Sequence, residues 1–191
     1  MTSIKRILHK QKRPPKEDGE MITAYRDGQV TARTKRRAIG YTESAEKASN
    51  VQGVVAGDVV IHGLDGFAGA IGSAEVDGVC SPVYHVCQTA SNSDSDCISR
   101  LLRILAVTGY LQTFTSSTRE RAFDFRNWEL FGSIQIPLLS CEEQARIGSQ
   151  IRALRPLKEV VTASQLLAAE HRRTLITAVV TGQLDVPENA V

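Results

Sequence analysis

The stretch Pro137-Leu-Leu-Ser140-Cys-Glu-Glu143-Gln-Ala-Arg-Ile147 marks the start of a long helix that decides the fold of the chain. Ser140 and Glu143 have the spacing of a capping box, in which each side chain accepts a hydrogen bond from a backbone N–H at the helix start. Glu143 also places negative charge at the positive end of the helix dipole. The helical pattern runs to Gly182, and glycine favours a helix end because it adopts the left-handed conformation without strain. The sequence therefore predicts a helix over residues 139–182.

Apolar residues recur along this helix at steps of mostly three, four or seven, which is typical of one apolar stripe. The stripe consists of Ile147, Ile151, Leu154, Leu157, Val161, Leu167, Leu175 and Val179. About 40 residues at 1.5 Å each span about 60 Å, more than the width of a small domain. We therefore expect the stripe to form an antiparallel coiled coil with a second long helix. Pro156 predicts a kink or a break, and the alternative is two core helices joined by a turn there.

The composition is that of a globular protein, since 42% of the 191 residues are hydrophobic and 23% are charged. No apolar run reaches the roughly 18 residues that cross a bilayer, and the N-terminus lacks the apolar core of a secretion signal. We therefore expect a cytoplasmic protein with no membrane partner. The four cysteines form no CxxC pair and no histidine lies at zinc-ligand spacing from another, so buried reduced thiols and no metal site are expected.

Charge is distributed unevenly along the chain, although the net charge is only +2. Residues 1–37 contain 11 Lys and Arg against 4 Asp and Glu, whereas residues 38–96 contain 1 Lys against 8 acids. A basic segment on a balanced chain suggests a polyanionic partner, although such a segment is also compatible with a solvated surface.

Residues 1–138 have the pattern of a mixed α/β domain, so that the whole chain is predicted to be α+β, with a flexible tail over residues 183–191. Strands are predicted at residues 21–25 and 29–33, joined by a turn at Arg26-Asp27-Gly28, and at residues 58–61, 79–86 and 128–136; a helix is predicted at residues 97–112. Glycines recur at every third position from Gly63 to Gly72. We reject a nucleotide-binding loop there, because the spacing is not GxGxxG, no long helix follows and no Gly-Lys-Ser/Thr is present. No cofactor is expected.

Several segments together resemble the target recognition domains in the specificity subunits of type I restriction–modification systems. The central resemblance is Gly57-Asp58-Val-Val-Ile61, then Gly69-Ala-Ile-Gly72, then Ser81-Pro-Val-Tyr84. The segments 25–28, 119–126 and 136–147 are similar to further parts of that family, and residues 175–185 resemble its "LI…VTG.id" helix end. The resemblance covers nearly the whole chain.

The resemblance implies a non-catalytic protein that reads a DNA sequence and positions methyltransferase subunits, which a restriction subunit joins in some systems. A full specificity subunit has two recognition domains and two long helices, whereas this chain has one of each. It therefore resembles a half-subunit, either natural or the remnant of a truncated gene. Its partners would be double-stranded DNA, the methyltransferase subunits, and a second copy or a different half-subunit. A two-fold dimer would read an inverted repeat split by a spacer.

Side chains able to contact base edges or phosphates concentrate in two parts of the domain. The candidate DNA-binding residues are Tyr25, Arg26, Lys35, Arg36, Arg37, His62, Arg119, Arg121, Arg126 and Asn127. Each arginine is also compatible with an ordinary surface or ion-paired role, and a lone histidine such as His62 with a structural one. Asp124 is expected to orient a neighbouring arginine.

Two other functions remain open from the sequence. The first is a protein–protein adaptor that uses the long helix and binds no DNA, and the basic segment argues only mildly against it. The second is an enzyme that binds a nucleotide at residues 57–72, against which the missing phosphate-loop features argue.

Overall fold

A computed structural model describes residues 1–36, 51–114 and 124–184. The strands are β1 (Thr2–Ser3), β2 (Leu8–Lys10), β3 (Ile22–Ala24), β4 (Val30–Ala32), β5 (Gln52–Val54), β6 (Val59–His62), β7 (Ile71–Ser73), β8 (Gly78–Cys80), β9 (Tyr84–Thr89) and β10 (Gln135–Ile136). The α-helices are α1 (Ile4–Ile7), α2 (Arg33–Arg36), α3 (Ser95–Val107), α4 (Trp128–Ser133) and α5 (Cys141–Val180), and Gly66–Ala68 and Leu111–Phe114 form short 3₁₀ turns. The chain is thus mixed helix and strand with a long C-terminal helix, as the sequence predicts.

The domain is built around a four-stranded antiparallel sheet with the strand order β2-β9-β6-β7. Side chains alternate across a strand, so neighbouring residues of β6 enter different cores. Val59 and Ile61 pack with Ile98 and Leu102 of α3, whereas Val60 faces the other way. The second core contains the inward residues of two antiparallel strand pairs, the β3–β4 hairpin and β5–β8. The sheet therefore lies between α3 and the two small antiparallel strand pairs.

The predicted hairpin at residues 21–33 is confirmed. Ile22, Thr23 and Ala24 pair with Ala32, Thr31 and Val30. Gly28 has a φ of 87°, in the left-handed region that favours glycine, and its N–H donates to the Tyr25 carbonyl at 2.9 Å. The chemistry of the Arg26-Asp27-Gly28 turn thus fixes where the chain reverses.

Two of the predicted strands are wrong in extent or type. Residues 79–86 are not one strand, because a turn around Pro82 divides β8 from β9. Residues 128–136 form α4 and then only the short β10. The side-chain oxygen of Asn127 accepts hydrogen bonds from the N–H groups of Glu129 (3.1 Å) and Leu130 (3.3 Å), which is the geometry of a helix N-cap. This local cap favours a helix over the predicted strand.

The beginning of α5 is fixed to the domain as well as capped. The Ser140 hydroxyl accepts from the Glu143 N–H (3.3 Å), and the Glu143 carboxylate accepts from the Ser140 N–H (3.1 Å), which confirms the predicted capping box. Gln144 is 1% exposed; its amide donates to the Leu139 carbonyl (2.8 Å) and accepts from the Asp94 N–H (3.2 Å). Asp94 itself caps α3. One buried glutamine therefore connects the starts of α3 and α5.

Two units make up the chain, Met1–Ser149 and Gln150–Val191. Helix α5 is continuous from Cys141 to Val180 with Pro156 inside it, so a break at that proline, and the alternative of two helices joined by a turn, are wrong, whereas the kink stays a prediction. Gly182 follows with a φ of 70°, the left-handed conformation predicted at the helix end. In the part of the chain that the structure describes, no helix is both long and apolar enough to span a membrane.

The predicted apolar stripe of α5 is largely uncovered. Leu154 and Leu157 are each 60% exposed, and the more distant stripe residues Val161, Leu167, Leu175 and Val179 are also exposed. Only Ile147 and Ile151 are half-buried. At about 100° per residue, Leu167 lies about 240° around the helix from Val161, so the stripe is interrupted there. The coiled coil remains a prediction, and its surface is less regular than the residue spacing indicated.

Three of the four thiols are buried as expected, and Cys141 is exposed, contrary to the expectation. Burial raises the pKa of both Cys80 and Cys87 to about 12, so these two are uncharged thiols that pack in the cores. Among the described residues, no group of three or more His, Cys, Asp or Glu could hold a metal ion.

Candidate nucleic-acid interface

Four of the predicted DNA-binding residues line one open depression, although they belong to three separate segments. Tyr25 and Arg26 come from the β3–β4 turn, Arg36 from α2, and His62 from the end of β6. The depression has a volume of about 450 Å³ and is completed by Thr23, Ala24, Asp27, Asp65 and Tyr84. We call it the Tyr25 depression. The β3–β4 hairpin positions one side of the Tyr25 depression, and β6 of the central sheet positions the other.

Both arginines of the Tyr25 depression are held by carboxylates. Arg26 Nη2 lies 2.8 Å from Asp65 Oδ1, and Arg36 Nη1 lies 3.0 Å from Asp27 Oδ1. The Arg36 guanidinium also lies 4.2 Å from the centroid of the Tyr25 ring, within cation–π range. A guanidinium has five N–H donors, and these contacts leave others available for the acceptors of a base edge. The carboxylates orient the arginines and also neutralise much of their charge.

The geometry of His62 fixes its protonation. Its Nδ1 accepts hydrogen bonds from the N–H groups of Leu64 (3.1 Å) and Asp65 (3.0 Å), so the proton of the neutral ring is on Nε2. Burial lowers the pKa of His62, the Asp65 carboxylate acts in the raising direction, and Arg26 lowers it further. His62 is therefore a neutral donor at pH 7 that also holds the turn carrying Asp65. Holding this turn is a structural role, which the sequence left open as an alternative for His62.

Tyr84 and Arg103 were not predicted as site residues. The Tyr84 ring makes an edge contact with His62, with 4.6 Å between centroids, and burial raises the pKa of its phenol to about 12. Arg103 of α3 donates from Nε (3.2 Å) and Nη2 (3.0 Å) to the carbonyl of Arg26. These two hydrogen bonds hold the hairpin turn to α3. Neither role has a local sequence signal, because each depends on contacts between distant segments.

Part of the second predicted cluster, around Arg126, lies close to His62 in the fold. The N–H of Phe125 donates to the Gly63 carbonyl (2.8 Å), and the buried His85 ring contacts the Phe125 carbonyl through Nε2 (2.6 Å). A Cβ on Gly63 would lie 2.7 Å from Cγ of Arg126, so glycine permits this close approach. Thus Arg126 lies against the residue that follows His62, and the structure brings part of both predicted clusters to one side of the domain.

Two members of this second cluster already have partners. Arg126 Nε lies 2.9 Å from both carboxylate oxygens of Asp124, which fits the orienting role expected for Asp124. The pair lowers the pKa of the Asp124 carboxyl, mainly through the Arg126 hydrogen bond. The side-chain oxygen of Asn127 caps α4, so a bidentate contact with adenine would require the cap to be released. Arg126 keeps a free edge toward solvent, whereas Asn127 has a clear structural task.

The remaining predicted DNA-binding residues are Lys35, Arg37, Arg119 and Arg121. Lys35 is on α2, and its Nζ lies 3.4 Å from Glu75 Oε2. Arg37, Arg119 and Arg121 lie outside the residues that the structure describes. Their contacts with DNA stay predictions.

Folding neutralises part of the charge difference between the two segments of the sequence. Among the described residues, cations of the basic segment pair with acids of the acidic segment in Arg13–Asp58, Lys16–Asp77, Arg26–Asp65 and Lys35–Glu75. Asp58 is 4% exposed, so its pair with Arg13 is a structural one. Lys16–Asp77 and Arg26–Asp65 are exposed pairs, which typically contribute little to stability. In the pair Lys35–Glu75 the Glu75 side chain is only 11% exposed. The charge gradient alone is thus weak support for a polyanionic partner.

No family model matches the chain, and no curated protein matches it either. Solved structures that are similar to it include two of type I R-M components. One is a structure of the type I R-M system, described for its complex assembly and conformational transition, with 15% identity, a TM-score of 0.49, and coverage of 91% of this chain and 42% of that chain. The other is the crystal structure of the HsdS subunit from Thermoanaerobacter tengcongensis, with 13% identity, a TM-score of 0.46, and coverage of 86% and 39%. The chain spans about two fifths of the length of both.

Proposed function

We propose that this chain is a non-catalytic DNA-recognition subunit of a type I restriction–modification complex. It would read one half of a split target through the Tyr25 depression and the adjacent Arg126, and it would position methyltransferase subunits. A restriction subunit would be a further partner of the assembled complex. The sequence motifs at residues 57–84 and 136–147 suggest this family by resemblance.

One observation carries the DNA-reading role. Tyr25, Arg26, Arg36 and His62 are base or phosphate contacts that the sequence predicts, and they line the same depression. The two arginines and His62 present N–H donors, which neighbouring carboxylates and backbone amides orient. Such donors match the acceptors on purine edges in the major groove, and fixed orientation is what discrimination between bases requires.

The second unit supports the proposed dimer. Its helix exposes Leu154, Leu157, Val161 and Leu175, which are apolar side chains that a second copy would cover. Two copies related by a two-fold axis would hold two recognition domains at a separation set by the helices. The target would then be an inverted repeat with a spacer.

The adaptor function stays as a second candidate because the ion pairs neutralise much of the basic segment. Filter binding of the full chain to random-sequence duplex at low salt separates the two. DNA recognition predicts retention of duplex with a strong decrease as salt rises. An adaptor would retain no duplex at any salt concentration, and that result would exclude the proposed function.

A further inference from the structure

Among the cations of residues 1–36, two groups differ in whether they have carboxylate partners in the folded domain. One group is paired with carboxylates, as in Arg13–Asp58 and Arg26–Asp65. The other group consists of Lys5, Arg6, Lys10 and Lys12, which make no ion pair within the part of the chain that the structure describes. A paired cation must separate from its carboxylate before it can bind a phosphate, whereas an unpaired cation contributes its full charge to phosphate binding.

Two of the unpaired cations, Lys10 and Lys12, line an open groove of about 480 Å³. We call it the Lys10 groove; its walls include Arg13, Gln52, Pro82 and Tyr84. Lys10 ends β2, an edge strand of the sheet, and the N–H of Gln11 donates to the Val86 carbonyl at 2.8 Å. This bond continues the extended pairing beyond β2, so Lys10 and Lys12 are two residues apart on the same side. Both side chains are exposed.

Tyr84 connects the Lys10 groove with the Tyr25 depression, because it lines both. Burial raises the pKa of its phenol to about 12, so no negative charge separates the two surfaces at neutral pH. Arg13 is neutralised by Asp58, which leaves the two lysines as the net charge of the groove. A surface with two uncompensated ammonium groups therefore continues directly from the candidate base-reading site.

We propose that the Lys10 groove binds the phosphate backbone of the DNA that occupies the Tyr25 depression. The groove supplies affinity without sequence preference, since an ammonium group contacts a phosphate as a point charge. The Tyr25 depression, whose arginines are neutralised by Asp27 and Asp65, supplies the discrimination between bases. This inference rests on the proposed function and divides its two tasks between adjacent surfaces.

The test compares two double variants of the full chain that remove the same charge. Lys10→Ala with Lys12→Ala removes the groove cations, and Lys5→Ala with Arg6→Ala removes two unpaired cations of α1 that do not line it. The affinity for random-sequence duplex is measured by fluorescence anisotropy from low to moderate salt. Thermal unfolding monitored by circular dichroism verifies that both variants fold like the wild type.

The proposal predicts that the Lys10/Lys12 variant binds with a salt slope shallower by about 1.8, because two phosphate contacts are lost. The Lys5/Arg6 variant should keep the wild-type slope. An unchanged slope for Lys10/Lys12, or an equal loss for Lys5/Arg6, would overturn the groove while leaving DNA recognition in place. A wild-type chain that binds no duplex at any salt concentration would overturn the proposed function and this inference together.

Discussion

The exposed leucines of α5 give the sharpest test of the proposed dimer. Leu154 and Leu175 are 60% and 57% exposed, and both belong to the predicted stripe. Replacing both by Asp introduces two charges into the surface that a second copy would cover. We expect the double variant to dissociate while the first unit stays folded, because neither residue belongs to its cores.

The magnitude follows from the exposed area. Burying a whole Leu side chain stabilises by about 2 kcal/mol, so covering the exposed part of each residue contributes about 1.2 kcal/mol. A two-fold dimer covers four of these side chains and would lose about 5 kcal/mol. This corresponds to a dissociation constant raised by about a thousand- to ten-thousand-fold. Desolvation of the new carboxylates adds to that loss.

The assay is sedimentation velocity over a concentration series. The matched control is Ala163→Asp with Thr177→Asp, which adds the same charge to exposed positions of the same helix. Ala163 lies about 180° around the helix from Leu154, and Thr177 lies about 200° from Leu175. We expect the Leu154/Leu175 variant to be monomeric and the control to be dimeric. A Leu154/Leu175 variant that stays dimeric at wild-type concentrations, or a control that dissociates equally, would refute the stripe as the interface.

Two further predictions concern residues that hold the site. Asn127→Ala removes the α4 cap and should lower the free energy of unfolding by about 1 kcal/mol, whereas Asn127→Asp keeps a capping oxygen and should not; equal urea midpoints for the two variants would contradict the cap. Burial lowers the pKa of both His62 and His85 below 6.5, so the unfolded chain binds more protons as the pH falls through that value. Stability measured by urea unfolding should therefore be lower at pH 5.5 than at pH 7.5, and His62→Gln should reduce the difference. An unchanged difference in that variant would argue against the neutral ring of His62.

Features set by adjacent residues could be predicted from the sequence. The hairpin turn follows from Gly28, and the start of α5 follows from Ser140 and Glu143, since each depends on contacts within a few residues. The strand predicted at residues 128–136 was wrong because its apolar spacing suits either structure, and the Asn127 cap decides for a helix. Proline usually kinks or breaks a helix, so the sequence did not predict that α5 continues through Pro156.

The arrangement of the candidate site was only partly accessible from the sequence. Tyr25, Arg26 and Arg36 were found because aromatic and basic residues concentrate around one hairpin. The carboxylate that holds Arg26 is 39 residues away in sequence, and Arg103, which fixes the same turn, is 77 residues away. Pairings over such separations are produced by the fold, so a charge count along the sequence did not reveal which cations of the basic segment are paired with carboxylates.

The central claim is that this domain reads a DNA sequence, and selection from a random duplex library tests it most directly. The full chain is incubated with the library at moderate salt, and the retained duplexes are amplified and sequenced over several rounds. We expect enrichment of one inverted repeat with a fixed spacer, and we expect this enrichment to be lost when Arg26 and Arg36 are both replaced by Ala. Retained duplexes without any common sequence, or the same enrichment in the doubly substituted chain, would contradict it.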